Sequence, residues 1–416
     1  MFITGIVFSV TLQSQPVINS WSGPDTVACY NIAEYVLDIN ASYTNPYSAE
    51  EVSLFATFTA PGGENINANG FYMIPYTLVS PDTLSPPGSA EWRVRFAPEN
   101  PGTYTFKFTL NDQNGTTVSQ TDTLHVLSSS NDGFYAFNDN YLHSGAGDVF
   151  LGVGENMGWV ADYQYSDFDR WTDSLAANNC NLVRIWFTVY TFQIEWNNAG
   201  PVGYYTGRMN RAWWLDWFLE MTREKGIKVQ LCLNSAQAFI VTGYPSWNYN
   251  PYSTVQGGPC EYPWQFFVNE DARYFFKRKL RYILARWGAY DNIIAWELFN
   301  EVDGVDGYAG HQNDVVNWHN EMAQYLHSND NYNRPVSTSF MDHNVSPNTW
   351  ALQNIDFTQG HRYYSQQDVD YEVYRKTREL IDEYEKPASM AEFNLHVYHS
   401  NNYSDDPTGL HMHNTM

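Results

Sequence analysis

Basic residues are scarce in this chain. Its 416 residues carry 22 Lys and Arg against 46 Asp and Glu, a formal net charge of −24. A surface of that sign repels phosphate backbones and anionic lipid headgroups, so nucleic acid and charged membranes are not expected partners. Cysteine is scarce too, and Cys29, Cys180, Cys232 and Cys260 form no CxxC pair and no zinc-ligand spacing. Cys180 and Cys232 adjoin apolar runs and are expected to be buried free thiols. Cys29 and Cys260 lie in loop-like surroundings, where no disulfide can be argued and the redox compartment stays open. No apolar run is long enough to span a membrane as a helix. No group of His, Asp and Glu has ligand spacing, so neither metal nor cofactor is expected.

Aromatic residues, in contrast, are abundant at 17%, with 15 Trp and 31 Tyr. Aromatic faces suit the apolar faces of sugar rings, and a neutral polymer is not repelled by the acidic surface; the same rings also fill cores. The opening MFITGIVFSVTLQSQ has the apolar stretch of an export signal without the basic residues that should precede it. Residues 1–19 are therefore expected to be a signal-peptide remnant, the alternative being a first β-strand. The expected location is secreted, cell-surface or periplasmic, as in bacteria.

Residues 20–127 read as short strands broken by turns. In TYTFKFTL (103–110), Tyr104, Phe106, Phe108 and Leu110 alternate with Thr and Lys, and Asn114-Gly115 has hairpin-turn chemistry. With no helical segment between them, these strands predict an all-β sandwich. A linker-like SSSNDG (128–133) follows. From residue 134, apolar runs alternate with amphipathic segments: VFLGVG (149–154), NLVRIWF (181–187), KVQLCL (228–233), NIIAWELF (292–299), RPVSTSF (334–340), IDFTQG (355–360) and PASMAE (387–392). Helical patterns lie between, at 209–226, 272–288 and 371–386. Repeated strand–helix units predict parallel strands with helices outside, an α/β fold of the (β/α)8 barrel kind spanning 134–416. Only seven such runs are present, and 24 residues follow Glu392 (416 − 392). The eighth strand is expected to be absent, leaving the barrel unfinished at its C-terminal end.

In such barrels chemistry sits at the C-terminal ends of the strands. That rule reduces 46 carboxylates to those that end an apolar run: Glu155, Glu297, Glu301 and Glu392. Glu301 and Glu392 are 91 residues apart (392 − 301), three strand–helix units, which places their strands opposite one another across the mouth. Two facing carboxylates about 5–5.5 Å apart are what a retaining glycosidase needs, one to attack and one to donate a proton. Asn300 beside Glu301 offers an amide donor for a sugar 2-hydroxyl. The strand period aims Glu297 inward, where a paired arginine such as Arg184 would neutralise it.

The segment WELFNE (296–301) resembles the acid/base strand of the cellulase-like clan of retaining glycoside hydrolases that includes family 5, and PASMAEF (387–393) is similar to its nucleophile strand. The resemblance implies Glu301 as acid/base and Glu392 as nucleophile, with Arg184 in NLVRIW supporting the nucleophile. His361 and Tyr363 in GHRYY match the clan's His-x-Tyr, implying Tyr363 against the nucleophile and His361 in the sugar site. Residues 20–127 also resemble the Ig-like domain, of unassigned function, that precedes such barrels in some bacterial secreted enzymes. Trp159, Trp247 and Trp264 are candidates to stack on sugar, Trp247 and Trp264 being expected to be exposed and Trp186 to be core. Glu155 and Asn156 are candidates for substrate hydroxyls. The expected partner is a β-linked polysaccharide or oligosaccharide. The third strand ends LCLNSAQ without the histidine many family 5 members place there, which leaves the sugar open. A non-catalytic carbohydrate-binding barrel and a metal-dependent barrel hydrolase are the competing readings. The oligomeric state is not readable.

Overall fold

The structure, a computed structural model, describes residues 14–243, 246–341, 348–363 and 369–394. Residues 1–13 of the expected signal remnant fall outside that range, while Val17–Ser22 forms strand β1, so positions 17–19 belong to the first domain. Strands β2 (Thr26–Ala28), β3 (Ala33–Asn40), β4 (Val52–Thr59), β5 (Asn65–Met73), β6 (Leu78–Ser80), β7 (Thr83–Leu84), β8 (Glu91–Phe96), β9 (Gly102–Asp112), β10 (Gly115–Val118) and β11 (Asp122–Leu127) follow. The spatial order is β1-β3-β8-β5-β4-β9-β11-β2, with β10 on β9 and with β6 and β7 forming a separate hairpin. All neighbours are antiparallel except β11 and β2, which are parallel.

The alternation explains the packing. Tyr104, Phe106, Phe108 and Leu110 of β9 are buried in one cluster with Leu54, Ala56 and Phe58 of β4, while the intervening residues face out. Strand β5 pairs with β4 through Asn69 and with β8 from Gly70 onward, so the sheet turns a corner there. A Cβ at Gly70 would lie 2.8 Å from Leu54 Cγ, which is why glycine occupies the corner.

Beyond a short hairpin of β12 (Ala136–Asn138) and β13 (Tyr141–His143), strands and helices alternate. They are β14 (Gly154–Asn156), α1 (Ser166–Ala177), β15 (Leu182–Trp186), α2 (Met209–Glu224), β16 (Lys228–Cys232), α3 (Glu270–Trp287), β17 (Ile293–Glu297), α4 (Gln312–Asn329), β18 (Val336–Ser337), β19 (Ser339–Phe340), β20 (Thr358–Tyr363), α5 (Val369–Tyr384) and β21 (Ala388–Asn394). Strands β14 to β18 form one parallel sheet in sequence order, and β19 to β21 form another. Because β18 and β19 are a single run interrupted at Thr338, the described strands occupy seven positions of a curved, parallel arrangement. Covered on both faces, the central strand β17 is buried at every residue.

The first run behaves differently from its expectation. Leu151 and Val149 are exposed, and pairing with β15 begins only at Gly154, so the strand comprises Gly154–Asn156 and not 149–154. Asn181 holds the preceding segment instead, accepting from Val153 N at 2.8 Å and donating to Leu151 O at 3.0 Å.

The two units share a core. Tyr47, Phe71 and Met73 of the N-terminal unit belong to the same cluster as Tyr205, Trp214 and Tyr282. A buried ion network reinforces the seam: Arg95 Nη1 reaches Asp216 Oδ1 at 3.0 Å and the Arg286 carbonyl at 2.7 Å. All four cysteines are free, and Cys180 is only half-buried, because it lies in the loop before β15 and not within the strand.

Candidate active site

Parallel strands bring their C-terminal ends to one rim, and the polar residues that interrupt otherwise apolar runs meet there. Arg184 of β15 is the hub. Its Nε and Nη2 bind the two oxygens of Glu297 at 2.7 and 2.6 Å, a bidentate pair. Its Nη1 reaches Glu392 Oε1 at 2.7 Å and Asn156 Oδ1 at 3.0 Å, and Nη2 also reaches Asn300 Oδ1 at 2.7 Å. Beneath the guanidinium lies the Trp186 ring, 4.9 Å from the Cζ. Gly158 packs against that ring so closely that a Cβ would come within 1.4 Å of it.

Glu297 is fully buried. Burial raises its pKa, but the Arg184 charge and hydrogen bonds, helped by His361 and Ser339, outweigh that and hold the carboxyl below its usual range. Gln230 and Gln359 each donate to Glu297 Oε2, at 2.9 and 2.7 Å, and Ser339 Oγ donates to Oε1 at 2.8 Å. Sequence reasoning missed these three residues. Their signal was there: a lone glutamine in KVQLCL and another in IDFTQG, where a doubly covered parallel strand should be apolar.

Glu301 follows in the loop after β17, in the left-handed region at φ 53° and ψ 50°. A non-glycine residue held there costs on the order of 1 kcal/mol, and such strain concentrates at functional sites. Its backbone N–H donates to Ser339 Oγ at 3.1 Å, and its carboxylate accepts from His361 Nδ1 at 2.9 Å. His361, fully buried on β20, sets its other nitrogen 3.6 Å from Glu392 Oε1. Glu392, from β21, and Glu301 thus flank one imidazole, hydrogen-bonded to Glu301. Donor atoms of Glu301, His361 and Glu392 all lie within 4.8 Å of one another. Three such groups could hold a cation, yet Arg184 already supplies a fixed positive charge at Glu392.

The remaining candidates divide. Asn156 joins the site: besides meeting Arg184, its Nδ2 donates to the Ala391 carbonyl at 2.8 Å, tying β14 to β21. Asn300 is buried, and its NH2 group reaches only Ser235 Oγ, at 3.5 Å. Glu155 does not join. It pairs in register with Val183, so its side chain takes the opposite face from Asn156 and lies in a surface cleft beside Trp171 and Leu175. Trp159 is 44% exposed beside Trp186, with ring centroids 5.7 Å apart. Trp186 is buried.

Trp247, expected to be exposed, is 1% exposed. The long loop after β16 builds its own core, in which Trp247 packs on Phe239 and donates to the Glu261 carbonyl at 3.1 Å. Trp264 is half-buried with its ring stacked on His311 at 3.7 Å, so one of its faces is taken. Tyr363 lies in β20 opposite Asn394, and its side chain falls outside the described residues.

A family model for a domain of unknown function, DUF5060, matches residues 26–111. No curated protein matches the chain. Among solved structures, one from Bacteroides vulgatus, provisionally assigned as a glycoside hydrolase, superposes with a TM-score of 0.61 at 17% identity, over 88% of this chain and 64% of that one. The chain shares the fold of that structure. It spans 64% of the length of that structure. More distant resemblances include a β-1,4-D-mannanase from Cryptopygus antarcticus (TM-score 0.41, 13% identity, 56% of this chain and 73% of that one). A β-glucuronidase from Ruminococcus gnavus is similarly distant (TM-score 0.41, 13% identity, 91% and 54%).

Proposed function

We propose that this chain is a retaining glycoside hydrolase of the family 5-like clan, acting outside the cytoplasm on a β-linked polysaccharide or oligosaccharide. In this reading the parallel strands belong to a (β/α)8 barrel and the N-terminal unit is Ig-like. One observation carries it: Glu301 and Glu392, from the ends of separate strands, converge within 4.8 Å around His361, with Arg184 anchored on Glu392. That closeness suits double displacement and leaves no room for the intervening water of an inverting pair.

The Glu392 carboxylate attacks the anomeric carbon while protonated Glu301 gives its proton to the departing oxygen. The glycosidic C–O bond breaks as the ester bond to Glu392 forms. Water, deprotonated by Glu301, then attacks the same carbon, releasing the sugar and restoring both carboxyls. Arg184 keeps Glu392 oriented for the first step, and the NH2 group of Asn300 is available to a sugar 2-hydroxyl. Trp159 offers an exposed ring beside the site.

The test is a panel of β-linked polysaccharides with product anomers followed by NMR. The expected result is hydrolysis with retained configuration, lost at least 10³-fold in Glu392→Gln. Inverted product, or full activity in Glu392→Gln, would overturn the proposal. Polymer binding without turnover by the unsubstituted protein would favour a non-catalytic carbohydrate-binding role.

A further inference from the structure

Helix α2 carries Asn210, Trp213, Trp217 and Glu220 at a spacing that puts them on one stripe. The stripe faces the N-terminal unit, and two tryptophans on it remain only half-buried although the units share a core close by. Between stripe and unit lie two clefts of about 430 and 470 Å³, both lined by Tyr76 of the N-terminal unit and therefore adjoining. Tight packing of the two units would have closed them.

The aromatic rings there are held rigidly. Trp214, 3% exposed, stacks on Tyr165 at 4.3 Å and meets Trp213 and Trp217 edge-on at 5.3 and 5.2 Å. Trp213 and Trp217 are thus fixed about 6 Å apart along the helix axis, on the scale of one pyranose unit. At the upper end of the groove, Tyr163 is 42% exposed, with Arg211 4.0 Å beneath its ring. Asp162 and Tyr163 both have positive φ, 47° and 60°, an uncommon pair for non-glycine residues that presents the Tyr163 ring outward. The arginines lining the lower cleft are paired, Arg93 with Glu34 and Glu91 and Arg95 with Glu34 and Asp216, and the acidic Glu220 lies beside them.

We infer that this groove is a second glycan-binding site, which holds a neutral stretch of the polymer while the catalytic carboxylates act elsewhere on it. Rigid aromatic faces interleaved with hydrogen-bonding groups suit a sugar chain, and the paired arginines on a chain of net charge −24 disfavour an anionic one. The choice of a glycan rests on the proposed hydrolase function. It assigns to the DUF5060-matching unit the role of one wall of a binding groove.

The experiment uses the full chain carrying Glu392→Gln, so that polymer survives, and measures retardation in gels containing neutral β-glucan, neutral β-mannan or a polyuronate. Trp217→Leu and Tyr163→Asn, the latter tolerant of positive φ, should each weaken retention by a neutral polymer about three- to tenfold and their combination by more. In the active background the same variants should leave turnover of a short aryl glycoside unchanged. Undiminished retention in the double variant, stronger retention by polyuronate, or an equal loss of short-substrate turnover would each overturn the groove. If the unsubstituted protein hydrolyses nothing while Trp217→Leu still loses polymer, the hydrolase reading fails and the groove stands.

Discussion

Replacing Arg184 by Met tests the centre of the site, because it separates two jobs that one side chain performs. Arg184 and Glu297 are 4% and 0% exposed, and the guanidinium makes two bonds to Glu297 and one to Glu392. Without it Glu297 keeps only neutral donors, and breaking a buried pair by removing one partner costs about 3–5 kcal/mol. For a protein of this size that lowers the melting temperature by about 3–6 °C. The unpaired carboxyl relieves the cost by binding a proton. Its folded-state pKa then lies above the unfolded value, so the penalty is small below about pH 4.3 and grows as pH rises through the new folded value. Adding Glu297→Gln removes the stranded charge, and the double variant should recover most of the lost stability, by calorimetry at pH 7. On the proposed mechanism activity should not recover, since Glu392 has still lost its anchor and a reacting group misplaced by about 1 Å costs on the order of 10²-fold. Two results would refute the reasoning: no stability regained in the double variant, or activity regained along with it.

Two further consequences concern stability. Asp216 accepts from Arg95, twice from Arg286 and from Trp287 Nε1, the closest contact being 2.6 Å, so Asp216→Ala strands the buried Arg286 guanidinium at the seam between units and leaves Arg95 with Glu34. A loss of about 3–5 kcal/mol is expected in urea unfolding, and a change below about 1 kcal/mol would show that the network does not couple the units. His319, buried beneath Thr338, has its pKa pushed down to about 4 by burial, against 6.5 when free. A base depressed in the fold gives stability that is full above the unfolded value and is lost as pH falls, here from pH 6.5 towards 4, up to about 3 kcal/mol. His319→Gln should flatten that part of the pH–stability curve, and an unchanged slope would exclude His319 as its source.

How much of this could be read beforehand depended on which physical signal carried it. Strands β15, β16 and β17 fall within a residue or two of the apolar runs that announced them, because strands covered on both faces must be apolar along their length. The run 149–154 failed for the same reason: apolar residues such as Leu151 can lie exposed ahead of a strand, and backbone capture by Asn181 cannot be seen in composition. Trp247 failed differently. A loop rich in Trp, Tyr and Pro reads as an exposed binding loop, yet one long enough to fold on itself buries its largest rings, here against Phe239 with Phe266 alongside. Glu155 shows the limit of the strand-end rule. Strand ends fix which residues reach the rim, but the period of two decides which face they take, and one residue separates Glu155 from the site that Asn156 enters.

The distinct environments of three glutamates also bear on their roles. Glu297, Glu301 and Glu392 all reach the same rim, and one guanidinium serves the group. Two of its nitrogens are spent on Glu297, which is enclosed by Gln230, Gln359 and Ser339 and has no exposed surface for substrate to touch. Its third nitrogen goes to Glu392, whose side chain is 12% exposed, a carboxylate with both a fixed counter-charge and an open side. Glu301 has no guanidinium; its described side-chain partner is His361, and at 22% side-chain exposure it is the most open of the three. In the proposed double displacement the attacking carboxylate must be held in place, and the placement of a single arginine favours Glu392 for that role. The buried Glu297 is then the residue that makes it possible: it holds Arg184 rigid, so that the one charge pointed at Glu392 cannot swing toward Glu301.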